Sequence, residues 1–159
     1  MDMDHFAMMA LAIEEAKKAG AKAEIPIGAV VIDAGGNILA KTHNQTITLQ
    51  DPTAHAEILA LREAARKINN YRLLNTTLYV TVEPCVMCMG AIVHARVARV
   101  VFGAPDPKWG AGGSLYDFCR DARLNHQPEL IGGIREDECR DLIQGFFRLR
   151  RKELKPDKP

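Results

Sequence analysis

Two short segments hold the residues best suited to chemistry. One is Asp51-Pro52-Thr53-Ala54-His55-Ala56-Glu57; the other is Glu83-Pro84-Cys85-Val86-Met87-Cys88. An imidazole and two thiols are soft-to-borderline ligands, which suit Zn²⁺ better than Mg²⁺ or Ca²⁺. Three protein ligands leave the fourth tetrahedral position to water, as in a catalytic zinc site. Glu57 follows His55 by two positions. Along the side of a helix such a pair diverges, but at a helix start both can reach over the end, with Glu57 beside the open position. Zinc with two thiolates and a neutral imidazole has no net charge and acidifies water only modestly. Two helix N-termini aimed at it add positive partial charge and favour thiolates and hydroxide. Glu57 can then take the water's proton and pass it on.

The bland alternatives are weaker. A lone Cys-x-x-Cys could be a redox dithiol, but no thioredoxin-like context surrounds Cys85 and Cys88. A structural zinc needs a fourth ligand. His94 falls on another helical face, and His5, His43 and His126 lack ligand-like spacing. Cys119 and Cys139 stand alone among polar neighbours and read as ordinary free thiols.

The elements that must position these groups follow from periodicity and punctuation. A helix is predicted over 4–19, with Phe6, Met9, Ala10 and Ile13 apolar and Gly20 as its stop. A hairpin is predicted from the β-branched run 25–32, the turn 33–37 and a second strand over 38–40. A helix over 54–68 carries Ile58, Leu59, Leu61 and Ala65 on one face. An alternating strand follows over 77–82, and Pro84 opens a helix to about Ala95 from its first helical position. Further elements are a strand over 99–102, a Gly- and Pro-containing loop over 103–114, a brief strand at 130–131 and a helix over 136–150. Strands separated by helices imply parallel crossovers, so the expectation is one three-layer α/β/α domain spanning 1–159.

At 159 residues and 17.6 kDa, the chain has the size of one domain that needs no disulfides. Its 21 Lys and Arg against 20 Asp and Glu exclude a polybasic coat or an acidic tail protein, though not a local basic face. That net charge hides a basic end at about 146–159, with Arg148, Arg150, Arg151, Lys152, Lys155 and Lys158 against Glu153 and Asp157. The apolar run 6–13 is too short to span a bilayer and lacks the basic flank of a signal peptide, so a cytoplasmic protein is expected.

His-x-Glu followed by Pro-Cys-x-x-Cys is the zinc-deaminase signature, and here the chain resembles the cytidine/deoxycytidylate deaminase superfamily. Within it, the chain is similar to the bacterial tRNA-specific adenosine deaminases over nearly its whole length. The resemblance includes Glu24-Ile25-Pro26-Ile27-Gly28-Ala29, Thr76-Thr77-Leu78-Tyr79-Val80, Gly90 to Arg96, Val100 to Ala104 with Asp106, Leu124-Asn125-His126, and Phe146-Phe147 with Arg150-Arg151. It implies a five-stranded mixed sheet flanked by helices and a homodimer. The implied reaction is zinc-dependent deamination of the wobble adenosine in a tRNA anticodon stem-loop to inosine. In that pattern His55, Cys85 and Cys88 hold one zinc and Glu57 shuttles protons, while Asn44, Ala56, Asp106, Lys108, Phe147 and Arg150 contact substrate. For Asp106, a bond to a ribose 2′-hydroxyl competes with a turn-forming role between Pro105 and Pro107. Trp109 reads as a packing residue in preference to a base-stacking one, and Met89 stands where relatives carry a small residue. The competing functions are a deaminase of free guanine, cytosine or cytidine, a non-catalytic RNA-binding module with structural zinc, and an accessory subunit.

Overall fold

The computed structural model describes residues 4–154; Lys155, Asp157 and Lys158 of the expected basic end lie outside the described residues. The elements are α1 (His5–Ala21), β1 (Gly28–Ile32), β2 (Ile38–His43), α2 (Ala56–Ile68), β3 (Thr77–Val82), α3 (Val86–Ala95), β4 (Arg99–Ala104), β5 (Glu129–Ile131) and α4 (Glu136–Leu154). The strand order is β2-β1-β3-β4-β5. β1 pairs antiparallel with β2 and β3, whereas β3–β4 and β4–β5 are parallel. This is the three-layer α/β/α fold with a five-stranded mixed sheet that the sequence leads one to expect.

Period-2 alternation divides the strand residues between two cores. Ala29, Val31, Leu78, Val80, Val100 and Phe102 face the α2/α3 side with Ala56, Ala60, Ala64, Met89 and Ile92. Val30, Ile32, Tyr79 and Val101 face the α1/α4 side with Met9, Ala12, Ile13 and Cys139. Helices cover both faces, so all six residues of β3 are buried rather than alternately exposed.

Several local expectations are corrected. Pro84 precedes the N-cap of α3, Cys85, rather than occupying the first helical position. In α2 the buried stripe is Ala56, Ile58, Ala60, Leu61 and Ala64, while Leu59 and Ala65 are only half-buried. Small side chains let that helix approach the sheet closely. Phe6 does not join the core of α1. It is 58% exposed, and the Arg135 guanidinium covers its ring at 3.8 Å. In the hairpin turn only Gly36 needs a positive φ, at +82°. Cys119 and Cys139 are free thiols, but each lies in an apolar core, where burial pushes its thiol up to about 12.

Candidate active site

His55 and Cys85 are the N-cap residues of α2 and α3. Both have extended backbones, and neither side chain bonds its own helix end, so both are free to turn toward a shared point. Cys88 stands at the N3 position of α3, and side chains at N-cap and N3 meet over the first turn. This is the physical reason for the Cys-x-x-Cys spacing. The segment carrying His55 is tied to the end of β2 by the Thr42 hydroxyl, which donates to Ala56 O at 2.7 Å, and by Gln45 N–H to Ala54 O at 3.0 Å. His55 Nδ1 thereby lies 3.7 Å from Cys85 Sγ and 3.5 Å from Cys88 Sγ. All three donor atoms are within 4.8 Å of one another. Nitrogen and sulfur bound tetrahedrally to one zinc stand roughly 3.6 Å apart, so the donor set fits that ion.

Glu57 is 4% exposed, and its Oε1 is buried without a hydrogen-bond partner among the described residues. Burial pushes its carboxyl up to about 7 in the metal-free protein. Cys85 is drawn down to about 4, first by its hydrogen bond from Cys88 and then by His55. Cys88 shifts the other way, because it supplies the proton of that bond and is buried. Hydrogen bonding to Cys85 raises His55. One thiolate is thus ready for a metal, and Cys88 must give up its proton on binding. The first turns of α2 and α3 add positive partial charge from their unpaired N–H groups.

The remaining predicted residues do not share one place. Asn44, 3% exposed, lies between Thr42 and Gln45, the two residues that bond the 54–56 segment. Ala56 is fully buried in the α2 core. Lys108 and Phe147 line one surface cavity of about 590 Å³ with Ile143, Gln144, Arg148 and Arg151, so the 103–114 loop faces α4. Arg150 does not line that cavity; its guanidinium lies 5.8 Å from the centre of the Phe146 ring. Asp106 makes the turn: its Oδ1 accepts from Lys108 N–H and Trp109 N–H. Trp109 is 67% exposed, which overturns the packing role expected for it. Met89 is fully buried in the α2/α3 core.

Two carboxylates whose roles sequence reasoning missed organise the loops beside the site. Glu24, buried, accepts from Ile47 N–H, Thr48 N–H and the Thr48 hydroxyl, which hold its carboxyl below the usual range against the effect of burial. Glu83, also buried, accepts from Asp106 N–H, Gly112 N–H, Ser114 N–H and the Ser114 hydroxyl. The available signal was a charged residue closing an otherwise uncharged strand, as Glu83 does after Val82.

The zinc-binding region of cytidine and deoxycytidylate deaminases matches residues 2–104. The chain is 52% identical over 151 residues to a tRNA-specific adenosine deaminase of Haemophilus influenzae, covering 95% of this chain and 87% of that protein. It is 49% identical over 144 residues to a Bacillus subtilis protein of the same name, covering 91% and 89%. A solved structure from a study of A-to-I editing by tRNA:A34 deaminases at the wobble position superposes with a TM-score of 0.82 at 42% identity. That match covers 86% of this chain and 98% of the other. Both halves of the site lie within the matched region, and the similarity continues beyond it through the 103–114 loop into α4. This chain therefore belongs to the cytidine and deoxycytidylate deaminase family, on the branch of the tRNA-specific adenosine deaminases.

Proposed function

We propose that this protein hydrolytically deaminates the wobble adenosine of a tRNA anticodon, converting adenosine and water to inosine and ammonia. The observation that carries the chemistry is Glu57 Oε1, buried and, among the described residues, without a hydrogen-bond partner beside three donors at tetrahedral spacing. The substrate class rests on relatives named tRNA-specific adenosine deaminases, which the chain matches over nine-tenths of its length.

His55, Cys85 and Cys88 hold the zinc in this reading. Held by these residues, zinc would make a water nucleophilic near neutral pH. Glu57 accepts that water's proton on Oε1 and delivers it to the purine ring nitrogen as the new C6–O bond forms. The emptied carboxylate then takes the remaining proton from the new C6 hydroxyl and gives it to the leaving amine, so that the C6–N bond breaks as the C6 carbonyl forms. Asn44 orients the base. Asp106, through the turn it forms, places Lys108 toward the phosphates, with Phe147 and Arg150 on α4 completing the contact surface. An anticodon loop is already single-stranded, so unstacking one base costs at most a few kcal/mol.

The expected assembly is a homodimer acting in the cytoplasm, with one domain carrying the whole activity. Ile68, at the end of α2, and Tyr71 and Leu74, beyond it, are 39%, 69% and 59% exposed, apolar surface that a second copy would cover. Light scattering should give twice the chain mass of 17.6 kDa. Among the described residues no helix is long and apolar enough to cross a membrane.

The decisive experiment measures inosine in an anticodon stem-loop with adenosine at the wobble position, using zinc-loaded protein and Glu57→Ala. Free adenosine and guanine serve as parallel substrates. Inosine from RNA alone, reduced at least about 10²-fold in the variant, is expected. Ammonia from a free base with none from RNA would make this a metabolic deaminase.

A further inference from the structure

We propose that Glu83 is a positioning residue for RNA recognition: its carboxylate fixes the 106–114 loop in register with the metal donors. The loop lacks regular strand or helix structure and includes Pro107, Gly110, Gly112 and Gly113, so it needs an external anchor. Glu83 supplies one from the end of β3. Oε1 accepts from Asp106 N–H at 3.0 Å and from the Ser114 hydroxyl; Oε2 accepts from Gly112 N–H at 2.9 Å and Ser114 N–H at 3.0 Å. Both ends of the loop therefore close on one side chain. The middle packs on it as well, since a Cβ at Gly110 would meet Glu83 Oε2 at 2.2 Å.

The two residues after Glu83 extend this attachment to the metal site. Ala111 N–H donates to Pro84 O at 2.8 Å, and Gly110 pairs with Cys85 in an isolated antiparallel bridge. A single stretch, 83–85, thus carries a metal donor and suspends the loop that presents Lys108 to the cavity shared with α4. The position of the phosphate-facing loop is thereby referenced to the reacting centre. Three of the four groups on Glu83 are backbone N–H groups, which only donate. An amide at this position would face at least one of them with its own nitrogen, whichever way it turned.

The proposal rests on the RNA reading above for its substrate and is tested in zinc-loaded protein by two independent readouts. Trp109 is the chain's only tryptophan and lies within the loop, so its fluorescence anisotropy reports loop order. In Glu83→Gln, zinc stays at one per chain, Trp109 anisotropy falls, and KM for the anticodon stem-loop rises about tenfold while kcat changes less than about threefold. Ser114→Ala and Gly110→Ala loosen the same clamp from the loop side. They should shift anisotropy and KM in the same direction, and they decide the matter if Glu83→Gln does not fold. Unchanged anisotropy and KM in the variants overturn the proposal. Zinc loss or a kcat loss confined to Glu83→Gln also overturns it, because Glu83 would then serve only Cys85. If wild-type protein fails to deaminate the stem-loop, the substrate reading falls, while anisotropy still decides whether Glu83 holds the loop.

Discussion

A carboxyl with 4% exposure has lost most of its water, and metal-free Glu57 compensates by keeping its proton up to about pH 7 instead of the ordinary 4.5. Between those values the folded chain binds more protons here than the unfolded chain, so stability falls as pH rises through that window. The shift corresponds to about 3 kcal/mol. Chelator-treated wild type should lose about that much stability relative to Glu57→Gln between pH 4.5 and 7, measured by urea denaturation. Parallel pH profiles would assign the shift to another group. At this scale His55 with Glu57, and Cys85 with Cys88, were legible because each pair sits within a few positions at one helix start; that the two pairs meet across 30 positions was legible only from the signature they form together. Glu24 and Glu83 were not. Their partners lie 23 or more positions away and are brought to them only by the folded chain.

Elements were legible to the extent that their burial was one-sided or their ends were punctuated. β3 was expected over the span it occupies, and α2 only two residues longer, at its start. The apolar face of α2 was drawn through Leu59 because large residues dominate a periodicity count, whereas the helix seats on Ala56, Ala60 and Ala64. Close approach also governs the contact of α1 with β1. A Cβ at Gly28 would stand 1.9 Å from Ala12 O and 2.6 Å from Ala16 N, both backbone atoms of α1. Gly28→Ala should therefore destabilise the fold by about 3 kcal/mol, visible as a lowered melting temperature by circular dichroism. A loss under about 1 kcal/mol would show that α1 can shift as a unit.

Across the whole molecule a formal net charge of +1 conceals a gradient along α4. Glu136, Asp137 and Glu138 occupy its first turn, and Arg151 and Lys152 its last. That arrangement suits the helix dipole, and it also gathers Arg148 and Arg151 with Lys108 around one cavity. If these cations meet RNA phosphates, Arg151→Ala should lower the dependence of log K on log salt by about 0.7, with affinity falling alike across stem-loop sequences. An unchanged salt slope would separate Arg151 from the RNA. The basic end was visible in the sequence, but its approach to the 103–114 loop was not, since only the β4–β5–α4 path brings the two together. The cap positions have one more consequence. Helix ends ordinarily fray, yet α2 and α3 each begin at a metal donor, with Leu59 N–H bonded to His55 O and Met89 N–H to Cys85 O. Two starts that open independently in most proteins would here be coupled through one chelate, so exchange of the Leu59 and Met89 amide hydrogens with solvent should slow together on zinc loading and record how firmly the active centre is assembled.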